Sequence, residues 1–507
     1  MGPLSLLIAS PLLGALALLF VPRQGARYVA LASSIPPLAV ALWLLHAYDA
    51  STGGFQFREL IPVLPSLGIQ YKLAVDGLGV PLVFLTAVIY TTAIFTSWTL
   101  GQREREFFLW MALLVAGVFG VFTSLDLFLF FLFYELAVLP MYLLIGIWGS
   151  TKLIGGEGPF ARSFPRLSVG SASYGAMKLT LYLLAGSAFI LLGLFLLYVE
   201  GEKVLPAATF DYERLLQARF PQGVAATVFL LFYVGFGILA GIWPFHTWSP
   251  DGHAAAPAAG SMMHAGVLMK LGAYGVLRLG FALLPDAGVQ WAWLVGAVAA
   301  INIVYGAVAA GWQTDVKYLI AYSSVSHMGI VMLGMATLNE PGLAGSVFQM
   351  VSHGIMTAML FTLVNLLYAK THTRDLREMG GLAAATPGMA VFFVVGGLAS
   401  LGLPGLSGFW AEFLVFVGAF TSAHSWWLLP AVAGAFVTAL YVLRAAYRIF
   451  FGPLREGLHV EDARGSEWVS LAALSALLVL LGVWPRLLLD AIRVGVDEVL
   501  LRVGGQP

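Results

Sequence analysis

Long apolar runs of roughly 20 residues, the length a helix needs to cross a bilayer, alternate along the chain with short stretches of charged residues, Pro and Gly. Cutting at that punctuation predicts about fourteen spans. The first seven cover Pro3 to Phe20, Tyr28 to Leu45, Leu78 to Trp98, Phe107 to Phe122, Leu127 to Trp148, Tyr174 to Tyr198 and Val224 to Trp243. The others cover Met262 to Leu284, Val289 to Ala310, Leu319 to Leu338, Val347 to Tyr368, Met389 to Phe420, Trp426 to Phe450 and Trp468 to Leu489. The first run lacks the basic start and small-residue cleavage site of a signal peptide and reads as a retained span. Loops after odd-numbered spans, with Arg23, Lys152, Arg162, Arg166, Lys317, Arg374 and Arg455 among others, hold Lys and Arg at roughly two to one over the opposite side. Basic loops stay cytoplasmic, so both termini are expected on the outer side.

Two spans are interrupted. The seventh runs into "GIWPFHTWSPDGHAAAPAAG" and the twelfth contains "LGLPGLSGFWAEF". Broken helices persist at membrane depth only where protein or a water-filled cavity satisfies the freed backbone groups. A matched pair points to inverted repeats around an ion path, and a packing kink in each is the plainer alternative. The segment Ala208 to Phe220, too short and charged to span, reads as an interfacial helix. The stretch "FFGPLREGLHVEDARGSEW" after the thirteenth span reads as a polar cytoplasmic loop.

Composition agrees with an all-α integral membrane protein: 60% of residues are hydrophobic and 10% charged. Zero formal charge gives no argument for a nucleic-acid partner. The absence of Cys removes disulfides and Cys-ligated iron–sulfur clusters, and there is no P-loop or dinucleotide fingerprint. Cofactors and metals are therefore expected to be none in this chain, with electron transfer elsewhere.

Five ionisable residues remain at central depth: Glu135, Lys270, His327, His353 and Glu412. Each charge placed there costs about 3 kcal/mol on insertion scales, which makes a transport role the default reading. Either histidine taken alone reads equally well as a packing residue. Lys178, near one end of the sixth span, can snorkel to the surface, and Arg278 and Arg486 read as anchors at span ends. Desolvation weakens the charged form of acids and amines alike, and histidine titrates near neutrality, so such a row can pass protons if water connects it. Sodium transfer is the competing chemistry. Driving one proton against about 150 mV takes roughly 3.5 kcal/mol, which must come from other subunits.

The runs "FYELAVLPMYLLIGIWG", "WPFHTWSPDGHAAAPAAGSMMHAGVLMKLGAYGVLR", "DVKYLIAYSSVSHMGIV", "HTRDLREMGGL" and "LPGLSGFWAEF" resemble the antiporter-like subunits of respiratory complex I and of Mrp antiporters. Glu412, where relatives typically have lysine, and the short tail after the last span resemble the M-type branch, the counterpart of mitochondrial subunit 4. The resemblance implies a proton-translocating, non-redox subunit of bacterial NADH:quinone oxidoreductase in the plasma membrane. It implies L-type and N-type neighbours, with FMN, iron–sulfur clusters and quinone in partner subunits. It divides the chain into residues 1–106 (helices 1–3), 107–284 (first five-helix repeat, helices 4–8), 285–450 (inverted repeat, helices 9–13) and 451–507 (loop and helix 14). By position it carries Glu135, Lys270 and Glu412 over as proton-transfer residues, with His327 and His353 between the last two. One departure stands out: the family's seventh-helix lysine, five residues before Pro244 of the Pro-x-His motif, is here Leu239. Lys178 or His246 is expected to replace it as the partner of Glu135. An Mrp-type sodium/proton antiporter subunit, a hydrogenase-type or photosynthetic complex I-like subunit, and a scaffold with an inactive channel remain the alternatives.

Overall fold

The computed structural model describes residues 2–150, 171–454 and 460–504. Lys152, Arg162, Arg166 and Arg455 of the orientation argument lie outside them. The described residues form 18 helices and one two-stranded hairpin, and 12 of the helices are long and apolar enough to cross a membrane. Two expected spans differ from that description. Pro3 to Phe20 forms the 16-residue helix α1 (Pro3–Leu18), and Met389 to Phe420 is divided into α14 (Pro387–Ser400) and α15 (Ser407–Thr421).

The bundle begins with α1 and α2 (Ala26–Ala47), continues after the hairpin with α3 (Gly79–Thr96), α4 (Glu104–Thr123) and α5 (Leu127–Trp148), and then α6 (Ala172–Val204). A single turn, α7 (Tyr212–Leu215), leads to α8 (Gln222–Ala240), the short α9 (Trp248–Ala255) and α10 (Ala258–Ala282). The second half is α11 (Pro285–Trp312), α12 (Val316–Ala336), α13 (Glu340–Thr371), α14, α15, α16 (Leu428–Phe450), α17 (Ser466–Val483) and α18 (Arg486–Val503). Helices apolar all round belong in the interior. Here α10, α12 and α13 are buried along almost their whole length, while α2, α16 and α17 form the rim. The central position thus falls to the helices that carry Lys270, His327 and His353.

The hairpin was not expected from hydropathy, because strands of 9 and 7 residues carry a much weaker signal than a span. Strands β1 (Gln56–Leu64) and β2 (Ile69–Val75) pair antiparallel, and their turn closes at Gly68, whose φ of 68° suits glycine. The expected interfacial helix over Ala208 to Phe220 shrinks to α7, capped by the Asp211 carboxylate. Its charges serve the hairpin instead: Lys72 Nζ lies 2.7 Å from Asp211 and 2.8 Å from Glu213, and Arg58 lies 2.6 Å from Glu213. The last expected span also ends early. Beyond Trp484 and Pro485 the chain starts α18, which buries Leu488, Leu489, Ile492, Val496, Val499 and Leu500 along one stripe. Arg493 fastens it to Glu340 at 2.9 Å, and Glu498 accepts the Gly54 N–H at 2.5 Å. Hairpin, α7 and α18 make one face of the bundle. The loops bearing Asp315 and Arg374 make the other, basic face.

Arg278 is no lipid anchor. It is buried, donates to both oxygens of Asp76 at 2.6 Å and to the Tyr274 hydroxyl at 3.1 Å, and lies against the rings of Phe55, Tyr212 and Tyr274. Asp76 also accepts the N–H groups of Leu78 and Gly79, which caps the start of α3. Arg486, by contrast, is exposed.

Two outcomes are expected. The Arg58 guanidinium, then the Lys72 ammonium, hold the Glu213 carboxyl down at about 2, against the opposing effect of burial. A lowered carboxyl adds stability that is complete above its ordinary value of 4.5 and disappears as pH falls toward about 2. Hydrogen exchange of the β1 and β2 amides should therefore loosen over that interval in the solubilised protein, and Glu213→Gln should remove the acid-dependent step. Breaking a buried ion pair by removing one partner costs about 3–5 kcal/mol. Asp76→Ala should accordingly lower the thermal midpoint in detergent strongly, whereas Arg486→Ala should leave it nearly unchanged.

Candidate functional site

Both interrupted spans begin their break with a left-handed glycine, Gly241 at φ 77° after α8 and Gly402 at φ 63° after α14. At Gly402 space matters as well, since a Cβ there would sit 3.0 Å from Glu412 Oε2. The backbone groups near the first break have identifiable partners. Asn302 of α11, fully buried, accepts the Trp243 N–H at 2.7 Å and donates to the carbonyls of Gly241 and Val325. Deeper in the segment, Lys317 donates to the Ala256 carbonyl at 2.6 Å, and Arg374 donates to that of Ala254 at 2.8 Å. Counting charges had put these two cations in a solvated loop. Both are buried and donate to the broken segment.

The central row runs through the second half of the molecule. In α10 two π-helical stretches, His264–Leu268 and Val276–Ala282, flank the turn that bears Lys270; such irregular turns are frequent at functional positions. The fully buried Lys270 ammonium donates to the Ala265 carbonyl and lies 2.7 Å from His353 Nδ1. The His353 and His327 rings stand 5.3 Å apart, centroid to centroid. His327 Nε2 is 3.5 Å from Glu412 Oε1, while its Nδ1 faces the Ser323 carbonyl at 2.8 Å. Four of the five residues picked from the sequence are thus within contact range as one buried line, Lys270–His353–His327–Glu412. The Lys270–His353 contact is short enough for direct proton exchange, and the two longer steps are of a length that a water can bridge.

Glu135 stands apart. The residue as a whole is half-buried, has Ser187 of α6 within hydrogen-bonding reach, and leaves its buried Oε1 without a partner among the described residues. Neither expected replacement cation reaches it. Lys178 is paired at 2.7 Å with Asp251, which also accepts from the Tyr318 hydroxyl. His246 packs its ring 4.9 Å from that of Tyr305, with both nitrogens unpartnered. Leu239 is fully buried.

Two residues in the quoted motifs were not singled out from the sequence. His253 and His264 are fully buried, their rings 4.3 Å apart, and none of their four nitrogens has a protein partner. Buried polar atoms of this kind are normally satisfied by ordered water. They lie between the Lys178–Asp251–Tyr318 cluster, at the basic face, and Lys270. Their spacing of 11 residues across Pro257 gave no helical periodicity by which to link them. Among the described residues no group of three or more His, Asp or Glu is arranged to hold a metal ion.

Residues 167–438 match the family model described as "NADH:quinone oxidoreductase/Mrp antiporter, TM". The chain is 37% identical to NAD(P)H-quinone oxidoreductase chain 4 3 of Trichormus variabilis, over 98% of this chain and 91% of that one. It is 36% identical to NADH-quinone oxidoreductase subunit M of Rhodobacter capsulatus, over 96% and 94%. Among solved structures, a chain of respiratory complex I from Thermus thermophilus with bound NADH superposes with a TM-score of 0.86 at 28% identity, each chain covered completely. A chain of the Mrp complex from Dietzia shares the fold, with a TM-score of 0.83 at 21% identity over 99% of both. The chain belongs to the NADH:quinone oxidoreductase/Mrp antiporter transmembrane family.

Proposed function

We propose that this chain is a proton-translocating, non-redox membrane-arm subunit of a complex I-type NADH:quinone oxidoreductase. The observation that carries the proposal is the buried line from Lys270 through His353 and His327 to Glu412. Every member can gain and lose a proton, and each lies within reach of the next. Electron transfer through FMN, iron–sulfur clusters and quinone belongs to partner subunits, with L-type and N-type subunits as membrane neighbours. His253 and His264, joined by water, lead protons from the basic face to Lys270. Glu412, beside the second break, hands them toward the hairpin face. The excess of Lys and Arg assigns the basic face to the cytoplasm and the hairpin and both termini to the outer side of the bacterial plasma membrane. The paired breaks at Gly241 and Gly402 support reading residues 107–284 and 285–450 as inverted repeats.

In the assembled complex reconstituted into vesicles, Glu135→Gln or Lys270→Ala should depress proton pumping and the coupled quinone reduction. For Lys270→Ala the loss should be at least about twofold. NADH oxidation by an artificial acceptor at the peripheral arm should stay normal. Wild-type stoichiometry in Lys270→Ala would overturn the role of the buried line.

One observation favours a second reading, in which the first half is a structural link: Glu135 meets no cation among the described residues, since position 239 is Leu and Lys178 is taken by Asp251. If that half is silent, Glu135→Gln pumps like the wild type and Leu239→Lys raises pumping. A fall in Glu135→Gln decides for an active first half.

A further inference from the structure

We infer that Tyr441 and Ser323 form a separate proton-uptake branch that reaches His327 from the basic face without passing through Lys270. The inference rests on the proton-transfer reading of the His327–Glu412 pair. Its starting point is a cavity of about 260 Å³ between α11 and α16, lined by Gly311, Trp312, Tyr441 and Arg444 among others. The Arg444 guanidinium donates to the Gln313 carbonyl at 2.9 Å, and Trp312 is 81% exposed, which sets the mouth at the basic loop. At the inner end Tyr441 is buried and its hydroxyl donates to Ser323 Oγ at 2.7 Å. Ser323 Oγ in turn lies 3.4 Å from His327 Nδ1. Serine and histidine are four residues apart on α12, so they lie next to each other on one helix face.

A ring that only filled space could be phenylalanine. Here Tyr441 lines the cavity, its hydroxyl leads through Ser323 to the histidine that meets Glu412 among the described residues, and each hydroxyl along the way both donates and accepts. In the step proposed, Tyr441 Oη takes a proton from cavity water and passes its own to Ser323 Oγ, whose proton moves to His327 Nδ1. The step starts from the tautomer protonated at Nε2; once the proton has arrived, the Nδ1–H donates to the Ser323 carbonyl at 2.8 Å, the arrangement seen in the structure. The ring then releases the Nε2 proton to Glu412 Oε1, 3.5 Å away, and regains its first tautomer by rotating or by exchange through water. No net charge is left on either hydroxyl. The main line and this branch thus meet at His327, which gives the second half its own supply.

The test compares Tyr441→Phe, Ser323→Ala, the double variant and Lys270→Ala in the reconstituted complex, with assembly and thermal midpoint measured in parallel. Tyr441→Phe, which keeps the ring's packing, should lower the protons pumped per quinone reduced by about twofold, with Ser323→Ala similar. Because both interrupt one wire, the double variant should fall no further than either single. Wild-type pumping in Tyr441→Phe overturns the branch, and so does a double variant whose loss is the product of the two single losses, the pattern of independent packing damage. Loss in Lys270→Ala with none in Tyr441→Phe removes the branch and leaves the proposed function standing. Wild-type pumping in Lys270→Ala and Tyr441→Phe removes both.

Discussion

The constraint behind the whole architecture is that polar groups carried into a hydrocarbon layer must find their partners inside the protein. Breaking a helix at membrane depth exposes N–H and C=O groups that no water can reach. This chain meets the cost with buried side chains brought from elsewhere: Asn302 at the first turn of the α8 break, then Lys317 and Arg374 on the carbonyls that follow. The broken segment is therefore held by side chains from α11, α12 and the loop after α13. Polar side chains that look like solvated loop charges are, in the fold, the supports of the interruption.

The same requirement explains why the ionisable residues are grouped. A lone ammonium at the position of Lys270 would be severely destabilised, but here the Ala265 carbonyl and His353 receive it. The buried Arg278 is handled differently, by a carboxylate and three aromatic rings. An arginine stays charged, so its pair with Asp76 is a fixed structural tie, whereas the lysine–histidine–glutamate line can change its protonation. The two kinds of site divide α10 between them: a titratable lysine in the middle, a fixed ion pair at the end nearest the hairpin. Lys178, Asp251 and Tyr318 form a third polar cluster at the opposite face.

Much of this was legible in the residues. Most of the spans, the two breaks and the family could be read because each depends on a local property, either hydropathy over some twenty residues or a contiguous motif. The hairpin and α18 were not, since short strands and an amphipathic helix lack the apolar length that marks a span. The reach of Lys178 was misjudged for a related reason: position along a helix gives depth, but the direction in which a long side chain finds its counter-ion depends on neighbouring helices.

What the sequence by itself determined is which residues enter the membrane and which of them can carry a proton. What only the tertiary structure decided is who meets whom. Asp251 stands 73 residues from Lys178, Arg278 202 residues from Asp76, and Tyr441 118 residues from Ser323. Those meetings follow from how helices cross, and crossings are set by side-chain packing between helices, about which a hydropathy pattern holds no information. For that reason Glu135, placed at central depth by the sequence pattern, proves half-buried and without a cation among the described residues, while His253 and His264, unremarkable in the linear pattern, come together in the interior.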